Sequence, residues 1–503
     1  MAAAVVLVWP ASAASQVQSQ EAARQGTTLS PALAVAERYS SNAFPEEADP
    51  RRTAWITDLS GRLVLVHRSA SAEVSADMRW QRLFYSSLST RNSTRRSLNA
   101  SARMELLDDL LDVRARGAVT QQGRSAFSAS LPDASQATND GDRVQSRTWT
   151  VRPDFHSRLG SQVVTRAWID AIDSRTEEAN ARVQRSITSV ASLGSDQSSG
   201  NPIGWSISGQ QQRFDADDSD REIRRAQATV QWNPGGAFGG SLFAGRETSD
   251  LRNGQSNSTS IVGGGVRWIP SERVALAATA GKRFFGTEYA AALAYRRALT
   301  ALRLTAARDV AYLESRSETG AASPFLSMLA DLLRASIPDQ GPRQDAAQRR
   351  LQDAGIPVAL GAPVDALNAR PFLNQRLDLS FLYTSPRDNL TLSAGYRKQT
   401  ELEANPSALP SPFDPIRQQS AGLAWSHRLD RSMTLNYSFS YLQTEGIRDG
   451  NRETTQRQHS LSTSKRLGPR LTLSFLARHL DIKSSVIRTY VENSVGCNLD
   501  VRF

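Results

Sequence analysis

The sequence predicts an all-β protein: a large antiparallel transmembrane β-barrel of about 22 strands, within a range of about 16–22, with a helical insertion at about 323–370. Three observations predict it. Apolar and polar residues alternate with period two along most of the chain. Short and long connections alternate between those stretches. The chain stops on an alternating segment that ends in Phe503.

The N-terminus opens on an apolar run from Ala2 to Trp9, and Ala11-Ser12-Ala13 supplies a small-x-small cleavage pattern. Residues 1–14 are therefore expected to be a signal peptide, and 15–503 the barrel. Beyond this run there is no stretch of about 18 apolar residues, so no transmembrane helix is expected.

Leu33, Val35 and Tyr39 mark a first strand near 31–42. Val74, Ala76, Met78 and Trp80 then alternate with Glu73, Ser75, Asp77 and Arg79. The stretch 97–122 is rich in good helix formers, and Met104, Leu107 and Leu111 fit a helix face. Its order decides for strands. Leu98, Ala100, Ala102, Met104 and Leu106 alternate with Asn99, Ser101, Arg103 and Glu105. After Asp108-Asp109 the alternation restarts, with Val113, Ala115, Gly117 and Val119 against Asp112, Arg114 and Arg116. Further on, Leu390, Leu392, Ala394 and Tyr396 alternate with polar residues or glycine, as do Met433 to Tyr441 and Leu471 to Ala477.

Short turn signals join paired strands at 233–236, 270–273, 385–388, 429–432 and 467–470, where Pro, Gly, Asn, Asp and Ser supply turn dihedrals. Longer polar connections are expected at 87–96, 123–143, 174–182, 214–220, 248–257, 402–415 and 444–453. Such a rhythm fits short periplasmic turns and long outside loops. One segment departs from it. Phe325, Met328, Leu329, Leu332 and Leu333 follow helical spacing, Pro338 stops that helix, and Gly355 and Pro357 end a second. By parity this pair sits on the cell surface or folds back into the lumen.

A sheet can span lipid only when closed, because every backbone N–H and C=O needs a partner within the protein. Closure leaves one face for acyl chains and one for a wet lumen. Arg103, Glu105, Arg114 and Arg116 are the candidate lumen-facing charges. Trp205, Trp232, Trp268 and Trp425 are candidate interface aromatics, all at the end of the short turns. Phe503 closes Val495, Cys497, Leu499 and Val501 and is the candidate insertion signal.

The chain has 503 residues and a net charge of +10. Its lysines are Lys282, Lys398, Lys465 and Lys483, so arginine carries nearly all the positive charge, spread along the chain. No nucleic-acid motif accompanies it, and no nucleic-acid partner is expected. Cys497 is the single cysteine. The histidines have no metal-ligand spacing, and no cofactor or metal is expected. The Gly-rich stretch 261–268 lacks the Lys-Ser/Thr of a phosphate loop, so its glycines are read as easing close packing.

The ordered series LSPALAVAERYSSNAF (29–44), 102–122, 266–296, 325–339, 370–397 and YVENSVGCNLDVRF (490–503) resembles the PEP-CTERM system-associated outer-membrane β-barrel family. These proteins occur beside exosortase and exopolysaccharide biosynthesis genes. The resemblance implies a bacterial outer-membrane location, partners in outer-membrane lipid and in polysaccharide or envelope export components, and a link to exopolysaccharide secretion. It brings no functional residues.

Two functional readings follow. In the first, the barrel is a conduit or porin-like pore whose Arg-rich lumen favours acidic or hydroxyl-rich chains. In the alternative, it is a non-transporting structural anchor or assembly partner of a surface polysaccharide or secretion complex, with the helical insertion and long loops as working parts. An enzyme would need a nucleophile and base at the rim, and no histidine sits beside a nucleophile motif.

Overall fold

The computed structural model describes residues 26–43, 53–87, 89–123, 125–128, 143–177, 183–196, 201–216, 219–251, 256–311, 324–333, 343, 347, 372–402, 415–448 and 450–503. The first strands are β1 (Gly26–Ser40), β2 (Ala54–Arg68), β3 (Ala72–Tyr85), β4 (Ser93–Leu107), β5 (Leu111–Gly123), β6 (Arg143–Leu159), β7 (Val163–Thr176) and β8 (Val183–Ser195). Next come β9 (Ile203–Ala216), β10 (Ser219–Trp232), β11 (Phe238–Ser249), β12 (Asn257–Ser271), β13 (Val274–Arg283), β14 (Gly286–Arg296) and β15 (Thr300–Ala311). After a helix, α1 (Pro324–Leu332), follow β16 (Phe372–Thr384), β17 (Asp388–Glu401), β18 (Ile416–Arg428), β19 (Met433–Gly446), β20 (Glu453–Arg466), β21 (Leu471–Ser484) and β22 (Tyr490–Arg502).

Sequence neighbours pair antiparallel throughout. β1 also pairs with β22, from Ala32↔Arg502 to Ser40↔Ser494, so the 22-stranded sheet closes into a barrel. No helix among the described residues is long and apolar enough to cross a membrane; the strands do so. The two faces differ as lipid requires. Leu33, Val35, Met78, Met104, Ile169, Ile207, Leu242 and Val262 stand exposed, whereas Asp112, Asp154, Asp170, Glu247 and Glu492 on the opposite face are buried. An exposed apolar belt around a closed sheet is a bacterial outer-membrane barrel.

The belt has a readable height. On β18 and its partners, outward positions run from Trp425 through Leu423 and Ala421 to Arg417. Those eight residue steps, at about 3.3 Å each and a tilt of about 40°, rise roughly 20 Å. Trp205, Trp232 and Trp268 are exposed on the outer face near the short-turn rim. Trp425 lies there too. It stacks on His427 at 5.7 Å and donates its indole N–H to Asp388 Oδ1 at 3.2 Å. At the opposite edge, Tyr39 packs on Trp55 at 5.5 Å.

The turn at Asp108-Asp109 forms as expected, with Asp109 at φ 54°. In the β18–β19 turn Asp430 accepts from the Ser432 amide at 2.5 Å and the Met433 amide at 2.8 Å. These bonds, the Ser432 amide foremost, hold its carboxyl below the usual range. Two expected loops need correction. The connection placed at 214–220 is mostly strand, because β9 runs to Ala216 and β10 starts at Ser219. That at 87–96 ends early, because β4 begins at Ser93. These three strands outrun the apolar belt, where neither face needs to be greasy and the alternation disappears. Sequence reading also passed over the tight hairpin between β13 and β14, closed by Gly286 at φ 102°.

The glycines of 261–268 have a use. A Cβ on Gly263 would lie 2.3 Å from Phe243 Cζ, and one on Gly281 2.8 Å from it. The Phe243 ring lies flat on the inner wall over both.

The lumen is not an open tube. Sequence reading expects a helical pair over 323–370; α1 stands within it, and apart from 324–333, 343 and 347 that segment lies outside the described residues. α1 packs on β15 and β16. Phe325, Met328 and Leu329 are buried against Ala301, Leu382 and Ala424, inward residues near the short-turn rim. At the other end, Phe127 beyond β5 clusters with Ile416 of the far wall, and Gln456 donates to the Ser128 carbonyl at 3.0 Å. The expected signal peptide, 1–14, lies outside the described residues.

Leu242 is 73% exposed midway up the belt. Leu242→Arg is expected to destabilise the barrel in lipid vesicles by about 2–4 kcal/mol, read by reversible urea unfolding. No change would contradict its lipid-facing position.

Candidate functional site

Along the inner wall of β4 to β7, residues of one face are two apart. Asp112 and Arg114 on β5, Arg152 and Asp154 on β6, and Arg166 and Asp170 on β7 therefore point the same way. Register then sets Arg103 of β4 directly opposite Arg114. Facing like charges destabilise a strand pair unless a counter-charge joins them. Asp112 joins them: Arg103 Nη2 donates to its Oδ2 at 2.9 Å, and Arg114 lies 3.9 Å away. Arg114 is also 3.8 Å from Asp154. Arg166 Nε donates to Asp154 Oδ1 at 2.9 Å, and its Nη2 binds Oδ2 in a forked contact. Arg152 pairs with Asp170, and its guanidinium lies 4.5 Å from the Trp168 ring centre.

Burial is uneven across these pairs. The Arg103 side chain is 60% exposed and Asp112 6%; Arg166 is 49% exposed and Asp154 2%. The carboxylates form the floor and the guanidiniums stand into the lumen. The wall therefore offers N–H donors in fixed, bidentate geometry, suited to carboxylates and hydroxyl-rich chains.

Of the charges singled out in the sequence, Arg103 and Arg114 join this ladder. Glu105 instead accepts from the Asp109 amide at 2.8 Å and caps the short turn. Arg116 shares the inner face, opposite Ser101, and has no ion pair among the described residues. Sequence reasoning missed Asp154, Arg166, Arg152 and Asp170, although Arg and Asp two or four apart within an alternating stretch signals a shared face. Phe503 is exposed after β22, and its amide donates to the Pro31 carbonyl at 3.0 Å.

Two other inward networks are centred on buried ion pairs. Glu247 binds Arg225 at 2.9 Å and Arg283 at 2.7 Å, and Arg283 also binds Glu288 at 2.8 Å. Arg478 binds Glu492 at 2.9 Å near the β1–β22 seam. Their central groups, Glu247, Arg283, Arg478 and Glu492, are buried, and these networks build the wall. In the β4–β7 ladder, as in the inward Arg62–Asp77 pair of β2 and β3, the guanidiniums stay open to a ligand.

No family model matches the chain, and no curated protein matches it. Solved structures similar to it include the siderophore receptor PirA from Pseudomonas aeruginosa, at 8% identity and a TM-score of 0.46, covering 95% of this chain and 81% of that one. The FrpB iron transporter from Neisseria meningitidis is similar at 11% identity and a TM-score of 0.48, covering 94% and 82%. A loop-deletion mutant of OmpT, an outer-membrane protein of Vibrio cholerae, is similar at 7% identity and a TM-score of 0.33, covering 95% and 99%. Likenesses this distant carry no argument about this chain, whose fold rests on its own strand pairing.

Asp154→Asn leaves Arg166 and Arg114 without their shared counter-charge. It is expected to lower unfolding stability by about 1–3 kcal/mol. A double variant with Arg166→Gln should recover part of that loss, and unchanged stability in the single variant would contradict the ladder.

Proposed function

We propose that the chain is a gated outer-membrane conduit for acidic or hydroxyl-rich glycan chains, acting in exopolysaccharide secretion as its resemblance to the PEP-CTERM-associated barrels implies. The observation that carries this reading is the inner wall of β4 to β7, where Arg103, Arg114 and Arg166 are held on buried carboxylates with their donors facing the lumen. Fixed cations on a pore wall select for anionic or hydrogen-bonding solutes. A chain passing from one guanidinium to the next keeps its hydrogen bonds while it moves, and no single contact need be tight.

The gate is α1. It lies against the inner wall at the base of the lumen, with apolar contacts to Ala301, Leu382 and Ala424. The signal peptide at 1–14 and recognition of Phe503 during insertion belong to the same proposal.

The alternative reading, a non-transporting anchor or assembly partner for export components, draws on the same features: α1 lies inside the base of the lumen, and the segment of Phe127 reaches across its mouth to Ile416. Planar-bilayer conductance of the refolded chain separates the two. For a conduit, deleting 324–333 should raise single-channel conductance several-fold, and an acidic oligosaccharide should block the current. Replacing Arg103, Arg114 and Arg166 with Gln should raise the blocking concentration roughly tenfold. A deletion that stays non-conducting would leave the anchor reading in place.

A further inference from the structure

The outer face carries a charge pattern that neither acyl-chain contact nor transport explains. Four neighbouring strands bring one lateral row together just above the apolar belt on the long-loop side. Arg308 of β15 faces Gln375 of β16, Gln375 faces Lys398 of β17, and Lys398 faces Arg417 of β18. Outward apolar residues lie below the row: Leu302, Leu304 and Ala306 below Arg308, and Leu390, Leu392, Ala394 and Tyr396 below Lys398. Farther round, Lys282 ends the column of Leu276, Ala278 and Ala280, and Arg246 the column of Leu242 and Ala244. These cations lie at the edge of the lipid belt with their stems on apolar surface, where long cationic side chains reach for headgroups.

Counter-charge is scarce there. Arg417 binds Glu445 at 3.2 Å, and Arg308 donates to the Thr287 carbonyl at 2.7 Å, which leaves its charge in place. Among the described residues, no outward carboxylate stands beside this row on β11 to β17. Lys398 and Arg417 face each other directly, an arrangement that repels unless an anion sits between them. The short-turn half of the outer face is different: its formal charges among the described residues are Lys465 and Asp388. Three of the four lysines, Lys282, Lys398 and Lys483, lie outward on the long-loop side. The charge belongs to one leaflet.

We propose that this row binds phosphate-bearing lipid headgroups in the leaflet on the long-loop side. Arg308 and Arg417 would grip phosphate oxygens from either side of Lys398, while the acyl chains lie on the leucine columns below. Guanidinium and ammonium groups suit this ligand, the first as a bidentate donor and the second as a point charge. The site depends on the barrel's position in the membrane and not on what crosses the lumen, so it stands or falls apart from the conduit reading.

The test reconstitutes the full chain in phosphatidylcholine vesicles containing a minor fraction of phosphatidic acid. After extraction in mild detergent, mass spectrometry measures co-purifying phosphatidic acid per barrel. Enrichment over the vesicle composition is expected, and Arg308→Gln with Lys398→Gln should cut it about fivefold per cation removed. Arg246→Gln with Lys282→Gln provides a second variant on other strands, and heat-dependent gel migration confirms that each barrel is folded. Lys465→Gln, at the opposite rim, should leave enrichment unchanged. Equal enrichment in wild type and both folded double variants would overturn the site. Loss of the bound lipid to excess inorganic phosphate would overturn its assignment to a lipid-borne group.

Discussion

Closure of the backbone is the constraint from which the other features follow. In hydrocarbon an unpaired N–H or C=O has no solvent, so the first and last strands must find each other across the whole sequence. β1 and β22 do so, and the seam is fastened at its long-loop end by more than backbone. Ser40 donates to Glu492 at 2.7 Å, Arg478 binds the same carboxylate, and Ser41 donates its amide to the Asn493 carbonyl at 2.9 Å. Near the other end, the Phe503 amide donates to Pro31. A buried charge-assisted network at the joint makes a one-residue slip costly, because a slip would turn Glu492 toward lipid.

Once the sheet is closed, period two sorts the composition. A chain with 22% charged residues and a mean hydropathy of -0.42 spans lipid because its charge is directed to one face through the belt and to both faces only beyond its edges. Inside, the same alternation has different results in different arcs. On β10 to β14 and at the seam, arginine and glutamate are sealed together and act as wall. On β4 to β7 the acids are sealed and the arginines are not.

Much of this was legible in the sequence because lipid enforces a simple pattern. The strand number, the Asp108-Asp109 turn and the outward placement of Trp205, Trp232, Trp268 and Trp425 all follow from one apolar residue in every two. Reading failed where lipid stops enforcing it. Ser93 to Arg96 and the ends of β9 and β10 are strands above the belt, polar on both faces, and resemble loops. The β13–β14 hairpin was hidden because Phe284 and Phe285 occupy its tip, and only Gly286 signals a turn. The ladder was half legible: alternation identifies Arg103 and Arg114 as inward, but that Asp154 holds both Arg114 and Arg166 depends on cross-strand register. Helical spacing marked Phe325, Met328 and Leu329, yet nothing local says that their partners are Ala301, Leu382 and Ala424. The outward cation row went unread for the same reason, since Arg308, Lys398 and Arg417 meet only through pairing.

The central claim is that neighbouring residues of one strand live in different solvents. Cysteine substitution along β4, residue by residue from Leu98 to Arg103 in a Cys497→Ser background, tests it in proteoliposomes with a charged, water-soluble thiol reagent. Labelling should alternate: Asn99→Cys, Ser101→Cys and Arg103→Cys react from the lumen, while Leu98→Cys, Ala100→Cys and Ala102→Cys are protected by lipid. Uniform labelling, or protection of the odd-numbered positions, would contradict the account.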